Sequence, residues 1–204
     1  MRKFGISPEK TFGVKVPILR NLAKKIGKNH ELAQKLWAEK FRETQILAAL
    51  VDEPGKVPAA QIENWISDFN YWEICDATVA NLFEKIPENW ARCEKFAADD
   101  REFFRRTGFV LMARFAVSDK TAADEKFLPF LKLIKKFATD ERNLVKKAVN
   151  WALRQIGKRN LFLREKALKT AREILKIKNS AAKWIARDAI RELENEKVVA
   201  RIRN

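Results

Sequence analysis

The chain has 204 residues, 47% hydrophobic and 34% charged with only six glycines and six prolines, a composition that argues against a disordered tail or a turn-rich β-sandwich and for one helical domain able to bury its own core. The formal charge of +15 is too lopsided to be incidental, since self-repulsion of that size in a compact state is offset only by a polyanion or an anionic surface. Residues 142–204 hold 18 Lys and Arg against 6 Asp and Glu, so twelve of the fifteen net charges lie in the last third, as nucleic-acid binding requires; a generic solvated basic surface is the plain alternative.

Apolar residues recur at three- and four-residue spacing along nearly the whole chain, and strict alternation is almost absent. The spacing predicts helices at about 17–26, 30–39, 42–52, 58–68, 71–85, 88–98, 101–117, 122–138, 142–156, 161–177 and 181–195. Connections are short, so neighbours are expected to pack antiparallel. Pro17, Pro58 and Pro87 stand where a missing N–H costs little, and Gly27 and Gly157 are expected to end helices in the left-handed conformation. Pro129 falls inside the 122–138 pattern and predicts a kink or a split there.

Two junctions repeat one another: Ile26-Gly27-Lys28-Asn29 and Ile156-Gly157-Lys158-Arg159-Asn160, each Asn placed to cap the helix that follows. A longer echo aligns Arg101 to Thr107 with Arg142 to Ala148 at an offset of 41, with Asp100 and Glu141 just before, and Ser180 to Leu193 fits at a further offset of about 40. A period near 40 carrying two helices is the signature of HEAT-like repeats, in which each pair buries its apolar face on the next. The expected fold is therefore an all-α HEAT-like solenoid, one domain over residues 1–204, whose inner helices line a basic concave face. In that register Arg106, Lys147 and Arg187 form a basic stripe suited to a phosphate backbone.

Several chemistries find no support. The sole histidine, His30, follows a capping Asn and has no evident partner, and the six glycines never approach a phosphate-loop or dinucleotide spacing, so no metal or cofactor is expected. Cys75 and Cys93 form neither a disulfide framework nor a metal spacing, which fits a reducing compartment. Met1 to Lys10 lacks the apolar core of a signal peptide, and the best apolar stretch, 108–117, is interrupted by Arg114; a cytoplasmic, nucleoid-associated protein is expected, with no membrane span.

What remains is aromatic, acidic and basic. Trp72 and Asp76 lie four apart, putting an indole one turn from a carboxylate on one helix face. Lys147, Trp151 and Arg154 share a face of a later inner helix by the same spacing. Indole faces attract cations, a carboxylate stabilises positive charge developing on a deoxyribose and orients a water, and guanidinium groups hold phosphates without reading sequence. Other readings stand beside this one. The six tryptophans could all be core, Asp76 could be a buried ion-pair partner of Arg106, and the Arg105-Arg106 and Lys146-Lys147 pairs could be a solvated face.

Four segments in chain order, Phe4-Gly5-Ile6-Ser7, Tyr71 to Asp76, Phe104 to Leu111 and Lys147 to Arg154, resemble the DNA alkylation repair glycosylases built from HEAT-like repeats. The resemblance implies a catalytic aspartate at Asp76, lesion-facing tryptophans at Trp72 and Trp151, a phosphate-contacting arginine at Arg106 and a further DNA-facing arginine at Arg154. It also implies hydrolysis of the N-glycosidic bond of cationic N3- and N7-alkylpurines in double-stranded DNA, by a monomer without metal or cofactor. Family members usually carry a helical stretch before the Phe4 segment, so an end cap of the solenoid is expected to be missing. The alternative is a noncatalytic HEAT-like module that binds nucleic acid, or a protein scaffold, on the same surface.

Overall fold

In the computed structural model residues 10–202 are described, and the Phe4 to Ser7 segment lies outside them. Among the described residues every element is helical, with twelve α-helices and no strand. They are α1 (Val16–Ile26), α2 (His30–Ala38), α3 (Arg42–Val51), α4 (Ala59–Ser67), α5 (Trp72–Asn81), α6 (Asn89–Ala98), α7 (Glu102–Ser118), α8 (Leu128–Lys136), α9 (Asn143–Gly157), α10 (Leu161–Leu175), α11 (Ser180–Leu193) and α12 (Glu196–Val199).

The punctuation expected from sequence is largely what starts and stops these helices. Gly27 ends α1 at φ 77°, and Asn29 caps α2 by accepting from Leu32 N–H at 2.9 Å. Asn160 caps α10 through Leu163 N–H at 2.8 Å, and Asn179 caps α11 through Ala182 N–H at 2.9 Å. Pro129 splits its segment: a 3₁₀ turn over Asp124–Phe127 precedes α8, and the proline sits in the first turn of α8, where its missing N–H is harmless.

Two expectations are corrected. The pattern read as one helix over 71–85 ends at Asn81 and is followed by a 3₁₀ turn over Phe83–Lys85; the change of direction buries the consecutive side chains of Leu82 and Phe83 completely. Gly157 ends α9 as expected but does not adopt the left-handed conformation, and its reason is space. A Cβ there would meet Leu193 Cδ1 at 2.7 Å and Ala167 Cβ at 3.0 Å, so the glycine lets α9, α10 and α11 approach closely.

The chain forms two compact units, the first reaching Asn89 and the second starting at Trp90. In the first, α1, α3 and α5 pack in succession while α2 lies against α3. Trp37 of α2 and Trp65 of α4 stack at 3.8 Å with nearly parallel rings, and Trp37 Nε1 donates to Asp68 at 2.7 Å, so the indole is buried without stranding its donor. Ile18, Leu22 and Ile26, one turn apart on α1, remain exposed.

In the second unit α7, α9 and α11 pack in succession, with α8 and α10 against one another behind them, which is the two-helix repeat the 40-residue period predicts. Trp90 stacks on Phe115 at 4.3 Å and on Phe130 at 5.6 Å, filling the space between α6, α7 and α8. The loops entering α7 and α9 are built alike. Asp99 accepts from the backbone N–H and Nε of Arg101 at 2.9 and 3.0 Å, and Asp140 accepts from the same groups of Arg142 at 3.1 and 2.9 Å. Arg142 then reaches back to Asp100 O at 2.6 Å, and Glu141 accepts from Asn179 Nδ2 at 3.1 Å, so each repeat start is tied to the next.

Candidate nucleic-acid interface

In the first unit the functional candidates are carried by α5. Trp72 opens the helix and Asp76 follows one turn later; both are half-buried, while Ile74, Cys75, Thr78 and Val79 on the other faces are buried. This is the division of a helix that packs by one side and presents the other. The start of α5 is held by a fork: Arg42 Nε and Nη2 donate to the two carboxylate oxygens of Glu73 at 2.7 and 2.6 Å. The third Arg42 nitrogen reaches Val14 O at 3.1 Å and Glu43 Oε1 at 3.0 Å, and Glu43 accepts from Thr11 at 2.7 Å and Phe12 N–H at 2.9 Å.

The protonation states follow. Hydrogen bonding to Glu73 raises the Arg42 pKa against the opposing effect of burial. Burial pushes the Glu43 carboxyl upward, but the bonds from Phe12, Thr11 and Arg42 outweigh it and leave Glu43 below the usual carboxylate range. Glu73, the immediate neighbour of Trp72, is thereby immobilised, and with it the position from which the indole projects.

His30, which lacked an evident partner in the sequence, has one: its Nδ1 lies 2.7 Å from Asp52 Oδ1, and Asp52 also accepts from Gln61 Nε2 at 2.7 Å. Asp52 is fully buried and links the start of α2 to α4, so the pair is a cross-link between helices.

The candidates of the second unit differ more among themselves than their register suggests. Lys147 of α9 and Arg187 of α11 are exposed. Arg106 of α7 is not: it is only 5% exposed, and Nη1 donates to Leu144 O at 2.6 Å at the start of α9. The expected stripe of three equivalent cations is corrected to two surface cations and one buried guanidinium, because Arg106 lies where α7 and α9 pack. Its sequence neighbour Arg105 is likewise buried and ties Asp140, Asp100 and Ala97 O together.

Trp151 is half-buried, and with the Gln155 amide oriented to satisfy its surroundings, its Nε1 donates to Gln155 Oε1 at 2.9 Å while Lys158 Nζ lies at 3.3 Å. The indole donor is therefore occupied and the ring is what remains to meet a ligand. Arg154, one turn away, donates to Glu192 and stands 3.6 Å from Asp188; Lys158 donates to the same Glu192 at 2.5 Å. Burial pushes Glu192 up, but Lys158 and Arg154 together hold it below its usual range. Arg154 is thus engaged by two acids of α11, which weakens its case as a phosphate contact.

The tryptophans divide by burial. Trp37 and Trp65 are core, Trp90 is packed among phenylalanines, Trp72 and Trp151 are half-buried, and Trp184 of α11 is 41% exposed. Trp184 and the Arg42–Glu73 fork were missed by the sequence reading. Lys183, Arg187 and Arg191 at four-residue spacing beside Trp184 were the available signal for the first; a pair 31 residues apart left none for the second. Among the described residues no group of His, Cys, Asp and Glu is arranged to hold a metal ion, and no helix is long and apolar enough to cross a membrane. Cys75 and Cys93 are both buried, and neither forms a disulfide.

Stacked helix pairs with a 40-residue period and repeat starts tied one to the next define a HEAT-like repeat protein. A solved structure superposes on this chain with a TM-score of 0.76 at 22% identity, covering 93% of this chain and 86% of its own, and it is described as belonging to a new family of proteins related to the HEAT-like repeat DNA glycosylases with affinity for branched DNA structures. Residues 1–193 match the DNA alkylation repair enzyme family, and the chain belongs to that family. No curated protein matches it in sequence.

Proposed function

We propose that the protein is a metal-independent DNA glycosylase that releases cationic N3- and N7-alkylated purines from double-stranded DNA. The observation that carries the reading is the pair on α5, a half-buried indole one turn from a half-buried carboxylate, in a chain of the DNA alkylation repair enzyme family. Asp76 stabilises the positive charge on the sugar as the glycosidic bond lengthens and orients the water that replaces the base. The bond electrons leave with the base, which departs neutral because it was already cationic, so no strong general acid is needed. Water adds to the sugar carbon and gives up its proton to solvent, leaving an abasic site. Within the first unit Trp72 attracts the cationic lesion through its ring face, and within the second Trp151 offers a ring face of the same kind. Lys147 and Arg187 bind phosphates. Arg106 and Arg154 support the reading less than Lys147 and Arg187 do, since their guanidinium groups already serve Leu144 O and Glu192.

The test is chemical. The protein is incubated with methylated duplex DNA, and release of free 3-methyladenine or 7-methylguanine is the expected result. DNA binding without chemistry is the second reading, favoured by the affinity for branched DNA described for the structural neighbour. It requires steeply salt-dependent binding and no abasic product with any lesion.

A further inference from the structure

We infer that Trp184 is the centre of a stacking platform for an unpaired nucleotide of DNA, separate from the pair on α5; the inference rests on the reading that this chain binds DNA. Trp184 is 41% exposed on α11, so its ring can be reached from solvent. Around it, Ser180, Lys183, Arg187, Asp188 and Arg191 line a shallow hollow on α11. Lys146 of α9 approaches the ring itself, with Nζ 5.2 Å from the centroid.

The charge around the indole selects the occupant. Lys183, Arg187 and Arg191 recur every four residues, about 6 Å apart along a helix that rises 1.5 Å per residue, which suits successive phosphates of one strand. Asp188, the acid in the hollow, is already engaged by Arg191 and lies 3.6 Å from Arg154. Among the described residues Lys183 and Arg187 have no acidic partner within ion-pair distance. An aromatic face framed by cations is how single strands are held without sequence preference, the base stacking and the backbone following the charges. Bases paired inside a duplex hide the faces that such stacking needs.

α11 is braced for this role. Ala181, Ala182, Ile185, Ala186 and Ala189 are buried on its opposite side, and Asn150 Nδ2 of α9 donates to Ile185 O at 3.1 Å. Trp184 is thus removable without touching the core.

The test compares Trp184→Ala and Trp184→Phe with the wild type on three probes: oligo-dT of about 12 nucleotides, a forked duplex and a blunt duplex. Removal of the ring is expected to weaken oligo-dT and fork binding about tenfold and blunt-duplex binding by less than about twofold, with Phe restoring most of the loss. The salt dependence should keep its slope in Trp184→Ala and lose about one unit in Arg187→Ala. A wild type that binds blunt duplex but ignores oligo-dT overturns the platform, as does a Trp184→Ala variant that loses all three probes equally. Base release from methylated blunt duplex, unchanged in Trp184→Ala, reports separately on the glycosylase reading: its absence with oligo-dT binding intact removes that reading and leaves the platform.

Discussion

Arg105 Nη1 of α7 donates to Asp140 Oδ2 at 2.8 Å, bridging 35 residues and fixing the loop that starts the next repeat. Asp140 is also the acceptor for Arg142, and Arg105 lies over the Phe137 ring at 4.4 Å, so one carboxylate organises the junction from both sides. Removing it leaves the buried Arg105 guanidinium with only the exposed Asp100 as counter-ion. Asp140→Ala is expected to lose about 3 kcal/mol of stability in denaturant unfolding, the usual cost of breaking one side of a buried pair.

The same carboxylate sets an acid limit. Burial pushes the Asp140 pKa upward, yet the bonds from Arg142 and Arg105 outweigh it and hold it at about 2, below the unfolded value near 3.9. A depressed folded-state pKa contributes stability that is fully present above the unfolded value and lost as pH falls through the folded one. Between about pH 4 and 2 the wild type should lose stability more steeply than Asp140→Ala, as thermal melts across that window would show.

Gly108 of α7 is a packing requirement. A Cβ there would sit 2.3 Å from Ala97 N and 2.7 Å from Cys93 O, both backbone atoms of α6 that cannot step aside. Gly108→Ala should cost about 3 kcal/mol or more despite its better helix propensity, measured by thermal unfolding. Gly157→Ala meets only the flexible end of Leu193 and the Ala167 methyl, and should cost less.

Glu73 should matter to function through position alone. Glu73→Ala leaves Nε and Nη2 of Arg42, 6% exposed, without their carboxylate, keeps only the Glu43 and Val14 contacts, and frees the start of α5 that carries Trp72. Stability is expected to fall by about 3 kcal/mol, with base release lost beyond the loss of folded protein; binding measured on the folded fraction should be retained.

Much of the fold could be read from spacing because repeats write the same signal several times. The Asn29 and Asn160 caps and the split at Pro129 each depend on a few adjacent residues, the 40-residue period recurs along the chain, and each holds. What spacing could not give was depth. Arg106, Lys147 and Arg187 are equivalent in register, yet Arg106 sits where two helices pack and the others face outward, a difference set by residues some 40 positions away. Gly157 does end α9, but its role as a contact surface was not legible, since the Leu193 it accommodates lies two helices later. Trp72 and Asp76 were legible as a pair because a helix face is local; the fork that positions them is not.

The assay that most directly tests the central claim compares wild type with Asp76→Asn on methylated duplex DNA. Freed 7-methylguanine should fall about 100-fold or more in the variant, while DNA affinity stays within about twofold of wild type. Equal release by the two proteins would contradict the role given to this carboxylate.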